Sequence, residues 1–111
     1  SDLDNLSGVA IASVVPSGTA VCERFCRDHL QIRPFIITGN TPTRLTIAYR
    51  PAKSLGPDRL VSALAACEVH SPPVICASLG TATVIDAVSG DYEFLGGAIL
   101  PGLQLMTESL A

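Results

Sequence analysis

At 111 residues and a net charge of −3, the chain fits one domain of modest size, and its charge offers no footing for a nucleic-acid partner. Apolar residues make up 48% and charged residues only 15%. That excess over a typical small domain predicts apolar area buried against another subunit or a missing piece of the same protein. No apolar run approaches the roughly 18 residues of a membrane helix, and Asp2 and Asp4 with no early Lys or Arg argue against a signal peptide.

Residues 8 to 15, GVAIASVV, are rich in β-branched side chains and end at Pro16, so they read as a buried strand. Ser17 is a candidate cap for a helix over about 18 to 30. Residues 34 to 38, PFIIT, form a second short strand closed by Gly39-Asn40, completing a βαβ unit with parallel strands. LTIAY, 45 to 49, reads as a short edge strand. After a Pro- and Gly-bearing loop, Leu60, Val61, Leu64, Ala65 and Val69 fit a helix period from Asp58 to about His70, stopped by Ser71-Pro72-Pro73. Three strands follow, about 74 to 79, 82 to 88 and 92 to 99, the last two joined by a turn at Ser89-Gly90-Asp91. Pro101 can open a helix carrying Leu103, Leu105, Met106 and Leu110. Both ends read as cut, against the alternative of a complete small α/β domain with ragged termini.

Cys22, Cys26, Cys67 and Cys76 read as free cytosolic thiols. A metal site from Cys22, Cys26 and His29, or from Cys67 and His70, would lack the Cys-x-x-Cys pairing of structural zinc, so packed thiols are the expectation and no metal ligand is assigned.

Three elements carry candidate chemistry. Gly80-Thr81-Ala82-Thr83 offers backbone donors and hydroxyls to a phosphate, or is a tight hairpin of strand-forming threonines. Gly96-Gly97 followed by Pro101-Gly102 leaves room for a flat ring or phosphate near a helix start, or is a bulge and a capped helix. Leu55-Gly56-Pro57-Asp58-Arg59 sets an acid beside a base at a helix start. Asp58 is either an ordinary N-cap or a general base, with Arg59 as an anion clamp. Asp86, inside an apolar strand, needs a cation or a backbone donor as partner.

Together these elements resemble the type III pantothenate kinase (Bvg accessory factor) family. The order Val-Val-Pro, Tyr-x(6)-Gly-x-Asp-Arg, Gly-Thr-Ala-Thr and Tyr-x-x-Leu-Gly-Gly-x-Ile-x-Pro-Gly matches from about Val9 to the end. The resemblance implies an α/β, ribonuclease H-like (actin-like ATPase) fold in part. Residues 1–50 would hold the end of the first half, a βαβ unit plus edge strand. Residues 51–111 would hold the start of the second half: a helix, a three-stranded β segment and a helix. It implies a cytoplasmic homodimer that phosphorylates the primary hydroxyl of pantothenate with ATP and magnesium, the first step toward coenzyme A. By motif, Asp58 matches the catalytic base; Tyr49, Gly56, Pro57, Asp58 and Arg59 match the substrate segment. Gly80, Thr81, Ala82 and Thr83 match the phosphate motif, and Gly96, Gly97, Pro101 and Gly102 the adenosine motif.

Two departures stand out. Ser78 occupies the position where the family carries an Asp associated with a monovalent cation, and a hydroxyl is a poorer ligand for potassium than a carboxylate. The family's first phosphate loop, Asp-x-Gly-Asn-Thr, is absent. Gly39-Asn40-Thr41 matches it in letters, but Ile37 stands where the Asp belongs, so the segment reads as a loop. The chain alone is therefore expected to be inactive. The alternatives are a non-catalytic regulatory or interaction module derived from the kinase, and a kinase of the same superfamily acting on a sugar or an acid.

Overall fold

In the computed structural model, residues 5–48 and 54–102 are described. Over these residues the fold is mixed α/β, with two sheets and two α-helices. Strand β1 (Ala10–Ala12), helix α1 (Pro16–Phe25) and strand β2 (Phe35–Ile37) form the expected βαβ unit, with Ala10 opposite Phe35 in parallel register. β1 is shorter than its β-branched run because the Ser13 hydroxyl accepts the Val15 N–H at 3.0 Å, bending the chain out of the ladder. Ser17 does not cap α1. Val15 is the N-cap, without a side-chain bond, and Pro16 takes the first helical position, where its missing N–H costs nothing. The helix runs on as a π-helical turn, Cys26–Leu30, closed by Gln31 in the left-handed region.

The second sheet has the order β3-β6-β5-β4. Strands β4 (Val74–Leu79), β5 (Ala82–Val88) and β6 (Glu93–Pro101) form an antiparallel meander. Strand β3 (Thr46–Ile47) lies parallel to β6 along its outer edge. The expected edge strand thus joins the second sheet rather than β1 and β2, so sheet membership does not change at residue 50.

The β5–β6 turn differs from expectation in which residue bends. Ser89 O accepts the Tyr92 N–H at 3.0 Å, and Tyr92, not Gly90, takes positive φ, at 60°. That is a type I turn followed by a left-handed residue, a hairpin form that usually recruits glycine. Arg44 lies 4.3 Å over the Tyr92 ring, and the Tyr92 carbonyl accepts the Thr46 N–H, so β3 and the segment before it hold this tyrosine in place.

Helix α2 (Pro57–Val69) covers one face of the meander. Its buried stripe is Leu60, Ala63 and Cys67, with Leu64 alongside, packed on Leu45, Leu55, Val88 and Phe94. This is i, i+3, i+4, i+7 spacing. Val61 and Val69, which also fit a helical period, are exposed instead, because α2 is apolar on more than one side and the sheet covers only one. The far face of the meander leaves Ile75, Leu79 and Leu95 exposed, and the βαβ unit leaves Val21 and Phe25 of α1 and Phe35 of β2 exposed. The radius of gyration, 16.3 Å, accordingly exceeds the about 13 Å of a compact domain this size. Among the described residues no helix is long and apolar enough to cross a membrane.

Candidate functional site

The start of α2 is built from Gly56-Pro57-Asp58-Arg59. Gly56 is the N-cap, in extended backbone at φ −62° and ψ 130°, and Pro57 opens the helix. Asp58 is therefore not the cap but lies in the first turn, exposed, where a carboxylate meets the positive end of the helix dipole. It folds back over Gly56. A β-carbon on Gly56 would lie 2.6 Å from Asp58 Oδ1 and 3.2 Å from Val14 Cγ1. The bend between β1 and α1 and the head of α2 thus meet at Gly56.

Arg59 points the other way, into the sheet. Its Nε donates to Asp86 Oδ2 at 3.1 Å and its Nη2 to Asp86 Oδ1 at 2.5 Å. The two side chains are only 10% and 5% exposed. The Phe94 ring, fully buried, lies 6.0 Å from the guanidinium carbon. Asp86 thereby gains the cation its burial requires. The fork of Arg59 is thus engaged with Asp86.

The Gly80–Thr81 turn sits at the same end of the domain as Asp58. Asp86 is anchored to Arg59, and its strand partner Cys76 has its Sγ 3.7 Å from the Ser62 carbonyl oxygen. From that level β4 runs on for four residues to Gly80, about 13 Å at strand rise, past the head of α2. Thr81 is exposed, and a β-carbon on Gly80 would meet nothing nearer than the Ala82 carbonyl oxygen at 3.9 Å. The Gly80 N–H itself donates to that oxygen at 3.0 Å, which leaves an incoming anion the Thr81 hydroxyl and the turn's other groups. Thr83 is 7% exposed, and its Oγ1 has no hydrogen-bond partner among the described residues. Ser78 is exposed on β4, opposite Val84.

The second glycine element divides in two. Pro101 pairs with Ala82, and Gly102 is buried against the carbonyl oxygens of Gly80 and Thr81, so this end of β6 joins the turn. Gly96 and Gly97 lie mid-strand, several residues away, and not at a strand-to-helix junction, because β6 runs on to Pro101. Their lack of side chains has causes within the sheet. Gly96, at φ 85°, forms a bulge that leaves Leu95 unpaired between Phe94 and Gly96, and Gly97 presses on the β5 backbone at Ile85.

Pro101 does not open the expected helix but ends β6, paired with Ala82; Tyr49 and residues 103–111 of that expected helix lie outside the described residues. Gly39-Asn40-Thr41 is a tight turn in which the Thr41 hydroxyl accepts the Thr38 N–H at 2.8 Å. The four cysteines are free thiols, and among the described residues no group of three or more His, Cys, Asp or Glu gathers to hold a metal ion. Val14 and Phe94 are the site neighbours that sequence reasoning missed. Asp86 had a legible signal, a carboxylate inside an apolar strand.

The chain matches the type III pantothenate kinase family over residues 1–111. It is 38% identical over 107 residues to the type III pantothenate kinase of Pelobacter propionicus, covering 96% of this chain and 42% of that protein. Identity to the enzyme of the same name from Moorella thermoacetica is 38% over 109 residues, covering 98% and 43%. For that of Geobacter sulfurreducens it is 39% over 108 residues, covering 97% and 42%. The chain spans less than half the length of these curated relatives.

Proposed function

The chain belongs to the type III pantothenate kinase family, and from that premise we propose that it is part of an enzyme transferring the γ-phosphoryl group of ATP to the primary hydroxyl of pantothenate, opening the route to coenzyme A. The observation that carries the reading is the exposed Asp58 carboxylate at the head of α2, at the same end of the domain as the open Gly80–Thr81 turn.

Asp58 takes the proton of the pantothenate hydroxyl. The freed oxygen bonds to the γ-phosphorus as the bond to the ADP oxygen breaks, and ADP leaves. Phosphoryl transfer asks the protein mainly for positioning and charge. An exposed carboxylate beside the bend at Val14 suits an incoming alcohol. Tyr49, Gly56, Pro57 and Arg59 complete the pantothenate segment, Arg59 by setting the helix head. Gly80, Thr81, Ala82 and Thr83 hold the ATP phosphates. Gly96, Gly97, Pro101 and Gly102 form the adenosine segment, Gly96 by making the β6 bulge and Pro101 and Gly102 by closing on the Gly80–Thr81 turn. We further assign the βαβ unit and the meander to the two halves of an actin-like fold, and the working enzyme to a cytoplasmic homodimer using magnesium with ATP. The exposed Ser78 hydroxyl weakens the case for a potassium ion. The family match lends no support to a non-catalytic module.

The test is pantothenate-dependent phosphate transfer from labelled ATP by the full-length protein and its Asp58→Asn variant. The variant is expected to lose about 10²- to 10⁴-fold in turnover, the range of general-base catalysis. Normal turnover by the variant would remove Asp58 from the role of base.

A further inference from the structure

We infer that Asp86, which lies outside both ligand segments, is a positioning residue: through Arg59 it sets the head of α2 and hence the aim of Asp58. The inference rests on the reading of Asp58 as the base.

Three observations carry it. Asp86 sits on β5, hydrogen-bonded to a strand on each side and paired with Cys76 and Gly97, so its carboxylate is mounted on the middle of the meander. It grips Arg59 through both Nε and Nη2, which fixes the plane of the guanidinium as well as its distance. Phe94 on β6 backs the same guanidinium, so two strands hold one side chain of the helix's first turn. Asp58 is the residue immediately before Arg59, and its own side chain is exposed, resting on Gly56. Nothing in its own contacts fixes the rotation of the helix head as firmly as the pair one residue on.

A buried ion pair is a poor source of stability, since desolvation of both charges offsets much of their attraction. What a bidentate pair does supply is orientation. Displacements of about 1 Å at a reacting group can cost on the order of 10²-fold in rate, so loss of the grip should appear in kcat.

The experiment uses the full-length protein with pantothenate and ATP, comparing wild type, Asp86→Asn, Arg59→Lys and the double variant Arg59→Met/Asp86→Leu, with thermal melting of each. The double variant replaces the charges by apolar groups of similar size, which keeps the fold where a single deletion would strand a buried charge. The expected result is a double variant that melts near wild type yet loses about 10- to 100-fold in kcat, as Asp86→Asn does, with KM for ATP little changed. A double variant that melts normally and regains wild-type kcat would overturn the inference, leaving the pair a structural contact. Unchanged kcat in a folded Asp86→Asn protein would do the same while the kinase reading stands. Absence of pantothenate phosphorylation by wild type would overturn both.

Discussion

Gly97 lies so close to the neighbouring strand that a β-carbon on it would overlap the Ile85 carbonyl oxygen and sit 3.0 Å from the Asp86 Cα. The obstacle is backbone, which cannot swing aside as a side chain does. Gly97→Ala should therefore destabilise the protein by about 3 kcal/mol or more, the range of severe core defects, read as a lowered urea midpoint. Retention of the wild-type midpoint would show that β5 and β6 do not approach this closely in solution.

Gly80→Ala is the contrasting case. A β-carbon there meets only the Ala82 oxygen at 3.9 Å, so stability should change by no more than about 0.5 kcal/mol. If the turn holds the phosphates as proposed, ATP affinity should fall nonetheless, because the added methyl would stand in their path. Calorimetric titration of the full-length protein with ATP checks this, and unaltered affinity would remove the turn from the nucleotide site.

Thr83→Val separates stability from binding in another way. The Thr83 hydroxyl is buried without a partner among the described residues, and removing such a group by an isosteric methyl relieves about 1 kcal/mol of desolvation. The variant should melt higher than wild type and bind ATP more weakly. Higher melting with unchanged ATP binding would mean that Thr83 supports the hairpin alone.

Gly56→Ala should act through Asp58. The new methyl would lie 2.6 Å from Asp58 Oδ1 and 3.2 Å from Val14 Cγ1. The carboxylate can turn away at modest energetic cost, with a further loss of a few tenths of a kcal/mol to about 1 kcal/mol for alanine at an N-cap. Turnover should fall much more, by about 10-fold or greater, since the displaced group is the proposed base. Steady-state kinetics beside chemical denaturation checks the split. Loss of both in proportion would show that the fold, not the aim of Asp58, is at stake.

Tyr92→Gly tests the turn. Glycine would relieve about 1 to 2 kcal/mol of left-handed backbone cost, but it removes the ring under Arg44 and the contact with the core. A half-buried tyrosine ring contributes about 2 kcal/mol through burial and about 0.5 to 1 kcal/mol more through the cation above it. A net loss of about 1 kcal/mol is expected, and a gain on denaturation would mean that the ring contributes little.

Local signals were the legible part of this fold. The bounds of β4 and β5 and the body of α2 follow from short-range patterns of β-branched runs, glycine and proline. The candidate residues Asp58 and Gly80–Thr83 were readable as motifs for the same reason. What was not readable depends on approach between distant segments. Nothing near Thr46 signals a strand partner at Glu93. Nothing near Gly97 shows that Ile85 presses on it. The choice of Tyr92 over Gly90 for the left-handed position depends on Arg44 and Thr46 holding that residue from outside the turn. Asp86 advertised a need for a cation, but only the packing of α2 on the meander made Arg59 the one that answers it.

The parallel pairing of β3 with β6, in a sheet whose other described pairings are antiparallel, has a kinetic consequence. Strands β4, β5 and β6 can zip together by short hairpin closures, whereas β3 has no template until the last of them is in place. During synthesis Thr46 and Ile47 would emerge well before Glu93 and Phe94, and their ladder must wait for a long intervening loop to close, an entropic cost that grows with the logarithm of its length. β3 is therefore expected to dock late, making the outer edge of β6 the last part of this sheet to be protected from hydrogen exchange.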